Sequence, residues 1–431
     1  MFFRKNYLRI FLFIITVISI WIAVGSRWGG DKWMQIVQAD GRGYYGHLPA
    51  AFIYDFSYSF HLPIEIEKLE FDYVYIKPDE NGNFYNKYYV GTAVLQAPFF
   101  LMAHGVSYLA DKPMDGYSKL YFKFFHLGGI FYLILGLWFL AKFLRNYSSN
   151  ILHILLTLTF VYYGTNLFYY SLYESSLSHL YSFTLFSAFA YYAYRFYHNF
   201  RPWQMVVLGF LMGLIVIVRP INAIVILSLP LIAGSREVFL DGFKRLKMNP
   251  LILSAGLLAG IAVIFIQLIE YKLGTGKWWI FSYTNESGFN WSGAHIFPFL
   301  FSYKKGLFLY TPMYLLIIFL SVKMLKINRF QFLSWFLFVS FSIYVLSAWW
   351  QWWYGGSFSS RVMVEYLPFF GLALILSFEL IRSPKIKGLL IGFLSVVTVF
   401  CIIQTVQFHY GLIHFVDMDK EWYWRVFLKL P

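Results

Sequence analysis

A single cysteine, Cys401, stands in the 431-residue chain. One thiol in an apolar run excludes a disulfide framework within the chain and leaves the redox compartment unmarked. Charge is scarce too: Asp, Glu, Lys and Arg make up 13% of the residues, against about a quarter in an ordinary soluble domain. With 59% hydrophobic residues beside that shortage, a soluble enzyme, a disordered chain and a secreted disulfide scaffold are all excluded. Several catalytic signatures are also missing. There is no phosphate-binding loop, no His-Glu-x-x-His, no Gly-x-Ser-x-Gly and no dinucleotide fingerprint,. The ten histidines are dispersed rather than set at metal-ligand spacing,.

What the chain has instead is apolar runs long enough to cross the roughly 30 Å hydrocarbon layer as helices. They fall near residues 8–25, 124–141, 150–170, 177–194, 204–218, 221–233, 251–273, 309–322, 331–349, 362–381 and 388–408. The expected fold class is therefore an all-α polytopic membrane protein of about 11 transmembrane helices. The first run follows Arg4 and Lys5 and is read as an uncleaved anchor; cleaved or not, it sends residue 30 outward,. Phe 49, Tyr 35 and Trp 15 bring the aromatics to 23%, many of them beside polar segments as in interfacial belts,.

The net charge of +14 invites a nucleic-acid reading, and its placement removes it,. Lys and Arg collect in alternate loops, among them Lys142 and Arg145, Arg195 and Arg201, Lys323, Lys326 and Arg329, and Arg382, Lys385 and Lys387. These loops carry 17 basic residues against Glu237, Asp241 and Glu379, which accounts for the whole surplus. By the positive-inside rule they are cytoplasmic, so the N-terminus is expected inside and the 409–431 tail outside. Residues 91–110 would add a crossing too many and are expected to be re-entrant or interfacial. The outer face then holds loop 26–90, with nine acidic and six basic residues and expected surface helices, and the loops 171–176, 274–308 and 350–361,. A single transmembrane domain spans 1–431, without internal repeat or soluble module.

Outer-face residues are the ones suited to chemistry. Asp40 opens "DGRGYYGH"; its carboxylate can accept a proton, and the three glycines let a backbone approach a ligand, although Asp before Gly is also a common helix cap or turn,. Glu174 is the one acidic residue between 116 and 236, at a membrane-edge turn, where it serves either a site or a helix N-terminus,. Ser175 and His179 are four apart, as on one helix face, and His179 is either an interfacial hydrogen-bonder or a ligand,. Arg219 in "VRPIN" and Arg361 after "WWYGGSFSS" suit phosphate through their forked donors,. The alternatives are snorkelling and, for Arg361, a pair with Glu365 one turn away. Loop 274–308 offers a sugar- or phosphate-binding wall from Lys277, Trp278, Trp279, Glu286, Asn290, Trp291, His295, Lys304 and Lys305, or is an ordinary interfacial loop.

In order along the chain, Asp40 with Tyr44 and Tyr45, the "YYVGTAVLQAPFF" stretch, the acidic turn at Glu174, "VRPIN" and "WWYGGSFSSR" resemble the GT-C superfamily of polytopic glycosyltransferases. Within it the likeness is to the protein mannosyltransferase and lipid A aminoarabinose transferase branch. Two departures stand out: Tyr89-Val90 replaces the family's Pro-Pro, and Asp40-Gly41 its Asp-Glu pair. The resemblance implies inverting transfer of a sugar from a polyprenyl-phosphate donor to a lipid, glycan or protein acceptor at the extracytoplasmic face. It implies Asp40 as general base and Arg219 and Arg361 on the lipid phosphate. Glu174, Tyr44, Tyr45, Lys87 and His179 complete the expected substrate contacts, with Lys87 nearest the replaced segment. No cofactor is certain, and a divalent cation is left open. Expected partners are the lipid-linked donor and membrane lipid, with no nucleic acid, in a bacterial inner membrane with the site and the C-terminus periplasmic. A transporter or flippase of a lipid-linked sugar, an oligosaccharide polymerase or ligase, and a non-catalytic assembly subunit are the competing readings.

Overall fold

The structure, a computed structural model, describes residues 2–69, 75–283 and 288–431, the side chains of 2–5, 59–62 and 68–69 excepted. Helix dominates throughout. The elements are α1 (Phe2–Arg27), α2 (Asp40–Phe52), α3 (Tyr58–Leu69), β1 (Ile76–Pro78), β2 (Phe84–Asn86), α4 (Gly91–Leu109), α5 (Lys119–Leu144), α6 (Ile151–Tyr163), α7 (Leu167–Leu172), α8 (Ser178–His198) and α9 (Trp203–Val218). The chain continues through α10 (Leu229–Ala233), α11 (Arg236–Met248), α12 (Pro250–Thr275), α13 (Ile296–Phe301), α14 (Leu307–Tyr310), α15 (Met313–Ser321), α16 (Arg329–Ser347), α17 (Leu367–Leu380), α18 (Pro384–His409) and α19 (Lys420–Val426).

All eleven apolar runs lie on helix, so the expected all-α polytopic fold is the observed one. Six helical segments among the described residues are long and apolar enough to cross a membrane: Asn6–Arg27, Lys119–Leu144, Pro250–Thr275, Arg329–Ser347, Arg361–Leu380 and Pro384–His409. Several runs are interrupted near the expected outer edge. The 150–170 run breaks between α6 and α7, where Asn166 accepts from the Tyr314 hydroxyl at 3.2 Å and donates to the Ser360 carbonyl at 3.2 Å. Pro312 stands between α14 and α15, and the runs after Arg219 and from Arg361 begin as 3-10 turns, Pro220–Ser228 and Arg361–Tyr366. Breaks of this kind are tolerated where protein satisfies the freed backbone groups. Residues 91–110 form one unbroken helix, α4, with Pro98 inside it and no reversal of the chain.

The helices of the centre and of the rim differ in what they touch. α8 and α17 are buried almost along their whole lengths, whereas α12 and α18 turn most of their apolar side chains outward, as lipid-facing helices do. α12 packs on α9 through four glycines, Gly209 and Gly213 against Gly256 and Gly260. A Cβ on Gly209 would stand 1.8 Å from the Gly256 carbonyl oxygen, so the two backbones meet directly. In lipid, close approach of this kind replaces the missing hydrophobic drive between helices.

At one end of the bundle the first loop folds into a cap. Loop 26–90 does form helices, α2 and α3, but α2 is packed inward rather than lying on the surface as expected, since Gly41 to Ala50 are all buried. A β-hairpin not foreseen from the sequence follows, pairing Ile76 with Asn86, Lys77 with Tyr85 and Pro78 with Phe84. The C-terminal end of α12 and the loop after it hold this cap. The Tyr58 hydroxyl donates to Glu270 Oε1 at 2.8 Å, Lys277 pairs with Asp79 at 3.1 Å, and Gln267 Oε1 accepts the Val90 amide at 2.8 Å.

Candidate active site

Between the cap and the helix ends lies a cavity of about 620 Å³. α2 gives it Asp40 and Tyr44; the hairpin and the strand exit give Lys77, Lys87, Tyr88 and Tyr89. His179 comes from the first turn of α8, Arg219 from the end of α9, and Arg361 from the start of the 3-10 turn. Phe281, Tyr283, Trp349, Trp350 and Tyr354 close the aromatic side.

Asp40 is the first residue of α2 and follows Ala39, whose φ of 45° is strained for a residue with a Cβ,. Both its carboxylate oxygens are engaged: Oδ2 lies 2.5 Å from the Arg361 guanidinium, and Oδ1 accepts from the Tyr88 hydroxyl at 2.6 Å. Burial pushes this carboxyl up, but Arg361, the Tyr88 bond and the field of Lys87 outweigh it and hold it below its ordinary value,. Lys87 lines the cavity with its ammonium 4.9 Å from the Tyr88 ring centre, and burial lowers its pKa against the opposing pull of Asp40.

A second ion pair sits deeper. Arg219 Nη1 is 3.2 Å from Glu365 Oε1, and His179 Nδ1 is 2.9 Å from the same oxygen and 3.0 Å from the guanidinium. Glu365 has no exposed side-chain surface. The two arginines thus each own one carboxylate: Arg361 owns Asp40, and Arg219 owns Glu365. An Arg361–Glu365 pair, the local alternative read from the sequence, does not form.

Six of the eight expected residues, Asp40, Tyr44, Lys87, His179, Arg219 and Arg361, therefore line one cavity. Tyr45 does not. It points to the other side of α2, into Phe100, Tyr117, Phe122 and Phe125, and its hydroxyl donates to the Gly116 carbonyl. Glu174 lies off the cavity, taking a 3.0 Å bond from the Tyr169 hydroxyl; burial raises its pKa against the nearby Arg361. Ser175 and His179 do not share a helical face, because α8 begins only at Ser178.

The glycines of α2 are a further correction, since they make room for the protein itself rather than for a ligand. A Cβ at Gly41 would fall 2.1 Å from the Ser176 hydroxyl, at Gly43 1.9 Å from the Tyr88 ring, and at Gly46 2.3 Å from the Tyr75 hydroxyl. Loop 274–308 does supply a wall, through Phe281, Ser282, Tyr283, Gly288 and Phe289. None of the described residues singled out there from the sequence lines it: Trp291 stacks on Phe289 at 4.8 Å, Lys304 reaches towards Asp417 at 3.9 Å, and Lys305 donates to the His414 carbonyl at 3.3 Å. Burial brings Lys305 down to about 7. Glu286 lies outside the described residues. Tyr88 and Glu365 were not foreseen in these roles, although Tyr88 opens the "YYVGTAV" stretch.

Among the described residues no three His, Cys, Asp or Glu side chains gather as a ligand set, and Asp40 already spends its oxygens on Arg361 and Tyr88.

No family model matches the chain, and no curated protein sequence does. Among solved structures, it is similar to the oligosaccharyltransferase AglB of Archaeoglobus fulgidus, solved with an inhibitory peptide and a dolichol-phosphate: 11% identity and a TM-score of 0.49 over 99% of this chain and 58% of that one. The oligosaccharyltransferase of the same organism in its apo form gives 13% identity and a TM-score of 0.46 over 96% and 57%. The same enzyme tethered to an acceptor peptide with the NVT sequon gives 12% and 0.47 over 100% and 60%. The chain thus spans about three-fifths of the length of the archaeal oligosaccharyltransferases it is similar to.

Proposed function

We propose that this chain is a membrane glycosyltransferase, moving a sugar from a polyprenyl-phosphate donor to an acceptor hydroxyl or amide at the extracytoplasmic face, with inversion. One observation carries the reading. A cavity at the end of the helix bundle sets a single carboxylate, Asp40, against two arginines from distant parts of the chain. A lipid tail in the bilayer with a phosphate-sugar head in water needs its site at that level.

The chemistry follows from the charges. Asp40, ionised at neutral pH, takes the acceptor's proton as its oxygen or nitrogen bonds to the anomeric carbon. The bond from that carbon to the phosphate oxygen breaks, and the electron pair stays on the lipid phosphate. Arg361 and Arg219 are the groups placed to stabilise that charge. Asp40 is the one carboxylate among the described lining residues, which supports its use as the base of a single displacement rather than as one of a nucleophile and acid pair,. Single displacement inverts the anomeric centre. The distribution of basic loops supports the outer face as the site of the reaction.

The test is reconstitution with a labelled polyprenyl-phosphate sugar, comparing wild type with Asp40→Asn. Transfer should fall by about a hundredfold or more on loss of the base. A folded variant that binds donor and transfers at the wild-type rate would rule out Asp40 as the base.

A further inference from the structure

The two arginines of the cavity differ in how firmly their carboxylates are fixed. Glu365 is fully enclosed, on the same short turn as Arg361 and against His179, so it cannot withdraw from Arg219. Asp40 is different: its side chain keeps 23% exposure, it stands at the cavity surface in the first turn of α2, and it has Tyr88 as a second anchor. A phosphate entering the cavity meets Arg219 with a partner that must stay and Arg361 with a partner that can be replaced.

We propose that Arg361 is an exchange switch: the donor phosphate takes the guanidinium from Asp40, and donor binding thereby converts Asp40 from a counter-ion into a base. This rests on the lipid-phosphate reading above. After the exchange Tyr88 keeps Oδ1, while Oδ2 turns to the acceptor. Oδ2 takes the acceptor's proton, the acceptor atom bonds to the anomeric carbon, and the electron pair of the broken carbon–oxygen bond remains on the phosphate that Arg361 now faces. The order of events is built in. Without donor the carboxylate is held by a cation, and an acceptor or a water molecule meets no base.

The exchange has a consequence of unusual sign: removing the base improves donor binding, because Arg361 no longer leaves a partner behind. Farnesyl phosphate serves as the probe, with farnesol as the uncharged control, on the full chain in nanodiscs. Asp40→Asn should bind farnesyl phosphate about tenfold tighter than wild type, the worth of one charge-assisted hydrogen bond. Asp40→Ala should tighten binding too, which guards against misfolding of one variant. Arg361→Gln should weaken binding about tenfold, and Asp40→Asn should then add nothing in the Arg361→Gln background.

Farnesyl phosphate binding that Arg361→Gln weakens but neither Asp40 variant tightens would overturn the exchange and leave the lipid-phosphate reading standing. Equal affinity for farnesyl phosphate and farnesol in every variant would overturn both.

Discussion

The ring of Tyr88 fills the space that a side chain at Gly43 would occupy, 1.9 Å from an added Cβ, and from there its hydroxyl reaches Asp40. Gly43→Ala should therefore cost about 1–3 kcal/mol through overpacking. It should also push the phenol off the carboxylate. Thermal unfolding in detergent reads the first effect and transfer activity the second. Tyr88→Phe, which keeps the ring, should leave the unfolding temperature close to wild type while lowering kcat/KM roughly tenfold, the worth of a hydrogen bond to a charged group.

Asp40 is held below its ordinary value by Arg361 and Tyr88, in spite of burial. The acid limb of kcat/KM, which reports the free enzyme, should accordingly lie below the usual carboxylate range of about 4. In Tyr88→Phe it should move to higher pH. Stability follows the same sign: the folded pKa lies under the unfolded one, so the stabilisation is present above about pH 4 and is lost as the pH falls through the folded value. Unfolding temperatures followed down to pH 3 should drop more steeply for wild type than for Asp40→Asn.

Glu365 is the enclosed partner of Arg219 and His179. Glu365→Ala leaves a guanidinium buried without its counter-ion and should cost about 3–5 kcal/mol. Glu365→Gln, which keeps a hydrogen-bond acceptor for Arg219, should fall between Glu365→Ala and wild type when the three are compared by thermal unfolding.

The α9–α12 seam has no slack, so Gly209→Ala should force the helices apart at Gly256 and destabilise the protein by about 1–3 kcal/mol,. Gly105→Ala makes the control, since a Cβ there meets nothing within 4 Å. Melting of the two variants in one detergent checks the difference.

Arg219 was legible because it is an isolated charge between long apolar runs, where a charge needs a reason; Asp40, with Arg42 two residues on, was marked by the glycines after it, and Arg361 by the Gly-Gly and serines before it. Tyr88 was not, as one of 35 tyrosines. Its role depends on a hairpin that brings residue 88 back over residue 43, and nothing local encodes that return. The Arg361–Glu365 reading failed for a geometric reason. It assumed an α-helix, in which positions four apart are neighbours, whereas residues 361–366 form a 3-10 turn with three residues per turn,. That geometry sends Glu365 away from Arg361 and into Arg219. The Gly-x3-Gly spacing at 209 and 213, and again at 256 and 260, stands in the sequence as a packing signal for two apolar helices,. Which helix each pair would meet only the structure shows.

α12 meets the bundle mainly along that one seam and turns its other sides outward, while its C-terminal end grips the cap. Glu270 lies 3.4 Å from His47 Nδ1, and the Nε2 of that imidazole is 3.0 Å from the carbonyl oxygen of Tyr88, the residue that holds Asp40. The height of the cap is thus tied to a helix whose apolar length must match the hydrocarbon around it. A shift of α12 along its own length would therefore be passed to the cap and, through His47 and Tyr88, to the cavity that Asp40 lines.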